Sequence, residues 1–279
     1  MNKNIISALL GASLSLGVFA LVCLFLDQSH IDKFLPRNKV EAIIYFPMLI
    51  VAPLSALVIH ELGHLLTGIA LGQKLRLFVV AFFGIRDEDG KLTVFFNTNP
   101  SYFGGVATTA PKTEKDINPK TFSKILIAGP IYSFLYFIIC LFAFLEFDTY
   151  LNSFFALSAL TSFGVFLATT LPAKSGIMFT DRKRFQRLNS KGVIQDAEIA
   201  MYELISKGII DNSFKHIDIH KAAILDKDND ITTMFWAAYL RFMYYKENGL
   251  SDQETEAFQK LVTFKIEIPK SIWNTLKIE

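Results

Sequence analysis

The sequence predicts an α-helical polytopic membrane protein with about four transmembrane helices, a membrane-face β-hairpin and a small C-terminal helical domain. Three observations carry this. Of the 279 residues, 52% are hydrophobic, and the mean hydropathy is +0.36, too apolar for an ordinary soluble domain. Four apolar runs approach or exceed the roughly 20 residues that cross a bilayer. The last ninety or so residues are instead mixed in polarity, with helical periodicity. The formal net charge of +2 implies no nucleic-acid partner. Cys23 and Cys140 each lie inside an apolar run and have no metal-knuckle spacing, so neither a disulfide framework nor a cysteine metal site follows.

Asn4 to Leu26 is the first expected span. Its apolar region is longer than the roughly 7–15 residues of a secretory signal, and no small-residue cleavage site clearly follows, so it reads as a retained helix. Asp27 to Glu41 is a polar connector containing Pro36, which with the first span makes a unit over residues 1–41. The second span runs from Ala42 to Gly72, with Pro47 and Pro53 in its first half. A membrane helix tolerates such prolines when neighbouring groups satisfy the freed carbonyls. Residues 73–118 change character. Leu75 to Ile85 and Leu92 to Phe96 are apolar and β-prone, and Asp89-Gly90 between them is a hairpin signal. The expected hairpin covers residues 75–97, and Gly104-Gly105 and Pro111 then punctuate a loop. Lys124 to Leu145 is the third span and carries Ala128-Gly129-Pro130, small enough to admit a neighbouring helix closely. After the turn at Glu146-Phe147-Asp148, Tyr150 to Leu171 is the fourth span, ended by Pro172. The membrane core thus spans 42–188. From Asn189 to residue 279 the chain reads as a cytosolic helical domain. There Trp236, Tyr239, Leu240 and Met243 recur at core spacing, and Ser251-Asp252-Gln253-Glu254 reads as a capping box.

Lys and Arg set the orientation. Lys74, Arg76, Arg86, Lys91, Lys112 and Lys115 lie in the 73–118 segment, and Lys174, Arg182, Lys183, Arg184 and Arg187 follow the fourth span. On the other side, the connector after the first span has Lys33, Arg37 and Lys39, and the 146–150 turn has none. With four spans, both termini face the cytoplasm of a multi-pass cell-membrane protein.

The second span carries His60-Glu61-Leu62-Gly63-His64. On a helix the two histidines stand one turn apart on one face and can share a Zn²⁺, with Glu61 beside it as general base. Three ionisable groups on one membrane turn cost about 2.5–3.5 kcal/mol each, so they point to function rather than packing. His216 and His220 form a second i, i+4 pair, but without a glutamate and in a polar stretch, so they read as a solvated helix face. A catalytic zinc takes three protein ligands. No Asp or Glu occurs between Thr149 and Thr180, which makes Asp181 the first carboxylate after the fourth span, brought back by the breaks at Pro172 and Gly176. The alternative for Asp181 is a surface ion pair with Arg182 or Arg184.

These residues resemble the site-2 protease family of intramembrane zinc metalloproteases. The likeness rests on His60-Glu61-Leu62-Gly63-His64, Gly104-Gly105, Ala128-Gly129-Pro130 and an Asp after Pro172, and covers about residues 42–185. It implies His60, His64 and Asp181 as zinc ligands, Glu61 as catalytic base, and membrane-face strands that clamp substrate. Val79, Val80, Gly104, Gly105, Thr169 and Pro172 become the substrate-binding candidates. Two positions depart from the family's Asn-x-x-Pro-x-x-x-x-Asp-Gly: Thr169 stands in the Asn slot, and Arg182 follows the late aspartate.

The expected activity is an intramembrane zinc endopeptidase that cleaves a transmembrane or signal-like peptide segment near the cytoplasmic face. Its partners are the bilayer, a membrane-embedded substrate and a cytosolic protein at the C-terminal domain. The alternative is a catalytically inert membrane scaffold of the same fold, binding metal or a partner. A metal transporter fits less well, because no further histidines or carboxylates line the other spans.

Overall fold

The computed structural model describes residues 27–88, 90–175, 177–268, 270–274 and 276. The expected span Asn4–Leu26 lies outside them. Three described helices are long and apolar enough to cross a membrane: Lys39–Ala70, Pro119–Glu146 and Asn152–Thr170. A short helix, Gln28–Phe34, precedes them. In chain order these are α1 (Gln28–Phe34), α2 (Lys39–Ala70), α3 (Pro119–Glu146) and α4 (Asn152–Thr170). Pro47 and Pro53 lie within α2 and Pro130 within α3, and neither helix is interrupted. Only 17%, 39% and 22% of their most apolar windows is buried in the protein. Ile43, Phe46, Ile139 and Phe142 face outward, a surface suited to lipid rather than water.

The chain divides into two compact units. The first joins the described residues up to Gly63 with Gly129–Thr169. Its polar contacts tie helix to helix. Ser55 on α2 meets Tyr136 on α3 at 3.0 Å and Ser158 on α4 at 3.3 Å, the small-polar contacts that hold helices together where apolar burial drives nothing. Arg37 pairs with Asp148 at 3.0 Å and Lys33 Nζ donates to the Leu145 carbonyl. The connector before α2 and the turn between α3 and α4 therefore meet at one end of this unit.

The second unit comprises His64–Ala128 and Thr170–Glu279. Its sheet differs from the expected hairpin. Strands β1 (Lys74–Val80), β2 (Phe83–Glu88), β3 (Lys91–Phe96) and β4 (Val106–Ala110) form one antiparallel sheet in the order β3-β2-β1-β4. The apolar run Leu75–Ile85 breaks at Ala81-Phe82, where Ala81 takes φ +50° and Val80 pairs with Phe83. A left-handed alanine costs about 1–2 kcal/mol. It is held from outside the turn: Asn97 Nδ2 donates to the Ala81 carbonyl at 2.7 Å, and the Ala81 N–H donates to Phe103. The expected loop after Gly105 is in part β4. Where α2 nears its end, Gly68 faces Thr109 of β4, and a Cβ there would fall 2.5 Å from the hydroxyl.

The C-terminal helices close on a core of Met201, Leu204, Leu225, Phe235, Leu240 and Leu261, joined by Trp236, Tyr239 and Met243. They are α5 (Asp181–Leu188), α6 (Val193–Asp211), α7 (Ala222–Leu225), α8 (Ile231–Asn248), α9 (Ser251–Val262) and α10 (Lys270–Trp273). Two local expectations change. Gly249 at φ +69° and the Leu250 N–H closing on Tyr245 end α8 so tightly that Leu250 is the N-cap of α9. Ser251 is then its first helical residue, not a capping box. His216 lies in a turn and His220 in a 3-10 turn, both exposed, so the pair shares no helix face.

Candidate metal centre and active site

The apolar context that makes α2 a helix also buries its polar turn. His60, Glu61 and His64 are 5%, 7% and 8% exposed. Buried imidazoles need partners, and each Nδ1 has one. His64 Nδ1 lies 2.7 Å from the Ile125 carbonyl, and His60 Nδ1 lies 2.9 Å from Ser133 Oγ. A carbonyl can only accept, so His64 carries a proton on Nδ1, which leaves Nε2 as the ring nitrogen that faces Asp181. Ser133 is fully buried on α3 and sets His60 the same way when it accepts. Fixing the outer nitrogen is how proteins present the inner one to a metal.

Asp181 arrives by a local device. Strands β5 (Lys174–Ser175) and β6 (Met178–Phe179) pair just after α4. The Thr180 N–H donates to the Ala173 carbonyl and its hydroxyl to the Leu171 carbonyl at 2.8 Å. The chain thus reverses, and Asp181 opens α5. Its Oδ2 stands 3.3 Å from His64 Nε2. With His64 neutral both atoms are acceptors and suit a shared cation; with His64 protonated they form an ion pair. The spacing matches the ligand-to-ligand edge, about 3.3 Å, of a tetrahedron with bonds near 2 Å. One ligand atom each from His60, His64 and Asp181 lies within 4.8 Å of the others, the one such group found among the described residues. Two imidazoles and a carboxylate are one of the donor sets zinc takes in catalytic sites. Glu61, three residues before His64, lies on the adjoining stripe of the helix.

The other predicted residues fall elsewhere. Arg184 pairs with Glu198 at 2.8 Å and Arg182 stacks over Phe185. Thr169 Oγ1 donates to the Val165 carbonyl of its own helix at 2.9 Å. Pro172 lies just before the β5–β6 hairpin. Gly105 needs its freedom at φ +101°, and Gly104 faces open space. Val79 and Val80 are buried on β1, which is paired on both sides, so a strand cannot add there.

Sequence reading missed Ser133, although a serine within an apolar span is a signal in itself. It also missed the packing around α5. The Arg187 guanidinium meets Glu198 at 2.8 Å, Asp228 at 2.5 Å and Thr233 at 3.2 Å, and stacks 4.4 Å from the Phe179 ring. Burial would lower Arg187's affinity for its proton. Asp228 and Glu198 outweigh that and hold it above the ordinary arginine value. Burial would likewise raise Asp228, but hydrogen bonds from Arg187 and Thr233 hold it below the ordinary carboxylate value.

The sequence model of Peptidase family M50 matches residues 48–277. No curated protein and no solved structure matches the chain. The matched stretch holds the His60-Glu61-x-x-His64 turn, Asp181 and the C-terminal helices α5 to α10. With three helices fit to cross a membrane and a buried His-His-Asp group, the chain belongs to Peptidase family M50, the site-2 protease family of membrane-embedded zinc metalloproteases.

Proposed function

We propose that the protein is an intramembrane zinc endopeptidase that cleaves a transmembrane or signal-like segment near the cytoplasmic face. The observation that carries this reading is the convergence of His60, His64 and Asp181 next to Glu61 on a helix of membrane-spanning length. Zinc held by those three would supply a Lewis acid and bring the pKa of a water near 7. Glu61 takes the proton of the attacking water and passes it to the leaving amine. The Ile125 carbonyl and Ser133 hold the two imidazoles in register throughout. The basic residues around the sheet and after α4 support a cytoplasmic site with both termini on that side. Purified protein in detergent should cleave candidate membrane-segment peptides, lose the activity to a chelator and recover it with zinc. Cleavage that persists after zinc is stripped would reject the reading.

Substrate capture requires an extended peptide, because a helix buries its own carbonyls. The sheet offers an edge for it at β3. The Asn97 N–H donates to Phe82, so odd-numbered β3 residues turn their N–H toward β2 and Leu92, Val94 and Phe96 turn theirs away. Their side chains are 67%, 63% and 71% exposed. A substrate strand added here gains backbone bonds with little sequence demand. Val94→Pro removes one outward donor while sparing the ladder to β2. It should keep zinc and lower cleavage about tenfold, the value of one hydrogen bond near 1–1.5 kcal/mol. Val94→Ala, which keeps the N–H, should cleave near the wild-type rate. Equal cleavage by the two variants would leave the edge as a membrane anchor only.

A further inference from the structure

The segment that presents Asp181 is built into the C-terminal helical core. Trp236 Nε1 of α8 donates to the Ile177 carbonyl at 2.8 Å, and Lys174 Nζ pairs with Asp230, the N-cap of α8, at 2.9 Å. Ile177 itself belongs to the core of that domain. On α5, Arg184 and Arg187 each place Nε 2.8 Å from one carboxylate, that of Glu198 on α6, which is fully buried. A buried carboxylate shared by two guanidinium groups is satisfied in one geometry and costly in any other. These contacts grip both sides of Asp181: the hairpin before it and the helix after it. From this geometry we infer that Glu198, with Trp236, is a positioning residue for zinc, acting through Asp181, and that the C-terminal domain is part of the metal centre. The inference rests on the reading of Asp181 as third ligand.

The test is the zinc affinity of the full-length protein in detergent, measured by competition with a chromogenic chelator. Glu198→Gln keeps the shape but removes the charge shared by two arginines and replaces one of the two acceptor oxygens with an N–H₂ donor that faces an arginine. It weakens zinc about tenfold, the low end of what outer partners of ligands contribute. In an Asp181→Asn background the same substitution causes no further loss, since the two act through one group. A merely structural effect would weaken zinc equally in both backgrounds, and that result overturns the inference, as does unchanged affinity in the wild-type background. If Asp181→Asn alone leaves affinity unchanged, it is the ligand reading that fails. Should Glu198→Gln not fold, Trp236→Phe decides the matter. It removes one donor and keeps an aromatic in the core, and the same loss confined to the Asp181 background is expected of it.

Discussion

Glu61→Gln should leave bound zinc unchanged and slow cleavage by about 10²–10⁴-fold, the usual contribution of a positioned acid–base group. Glutamine matches glutamate in size and in helix preference, so α2 keeps its form. The ligand group does not include Glu61, so the metal should stay. What disappears is the carboxylate that accepts a proton from water and returns it to the amine. Because the residue is only 7% exposed, bulk water is poorly placed to substitute. Zinc content and the single-turnover rate on a membrane-segment peptide together decide the outcome. A rate within a few-fold of wild type removes Glu61 from the chemistry. Loss of zinc together with the rate would instead assign it a structural part.

The spans were legible because length and apolarity alone define them: Ala42–Gly72, Lys124–Leu145 and Tyr150–Leu171 become Lys39–Ala70, Pro119–Glu146 and Asn152–Thr170. The His60-Glu61-x-x-His64 turn was legible because three ionisable groups in such a helix need a reason. Asp181 was reached by elimination. Its late position relative to the family pattern has a physical source, since the β5–β6 hairpin occupies the extra residues between Pro172 and Asp181. What sequence concealed was decided by distant partners. The turn at Ala81-Phe82 has no glycine, asparagine or aspartate to announce it and is held by Asn97 and Phe103. Ile125 acts through its carbonyl, which any residue carries. His216 and His220 have helical spacing, but the chain there turns. Nothing in the sequence sets Glu198 apart from other helix charges; its role comes from Arg184 and Arg187, which meet it only in the fold.

Removing the ligands themselves should produce a graded series. His60→Ala and His64→Ala each take away one of three protein donors, and purified protein from either should retain essentially no zinc after dialysis, against about one ion in wild type. Ser133→Ala removes only the hydroxyl that fixes His60 Nδ1 at 2.9 Å. Nε2 survives, but the ring can turn and its tautomer is no longer set, so affinity should fall about 10–100-fold without vanishing. No comparable variant exists at His64, whose Nδ1 is held by a backbone carbonyl at 2.7 Å. His216→Ala and His220→Ala remove exposed imidazoles with no third donor among the described residues, and should leave zinc untouched. Metal analysis of the five purified variants under one dialysis protocol gives the order directly. Full zinc in His64→Ala would place the metal elsewhere, and Ser133→Ala matching wild type would mean that His60 is oriented by its helix alone.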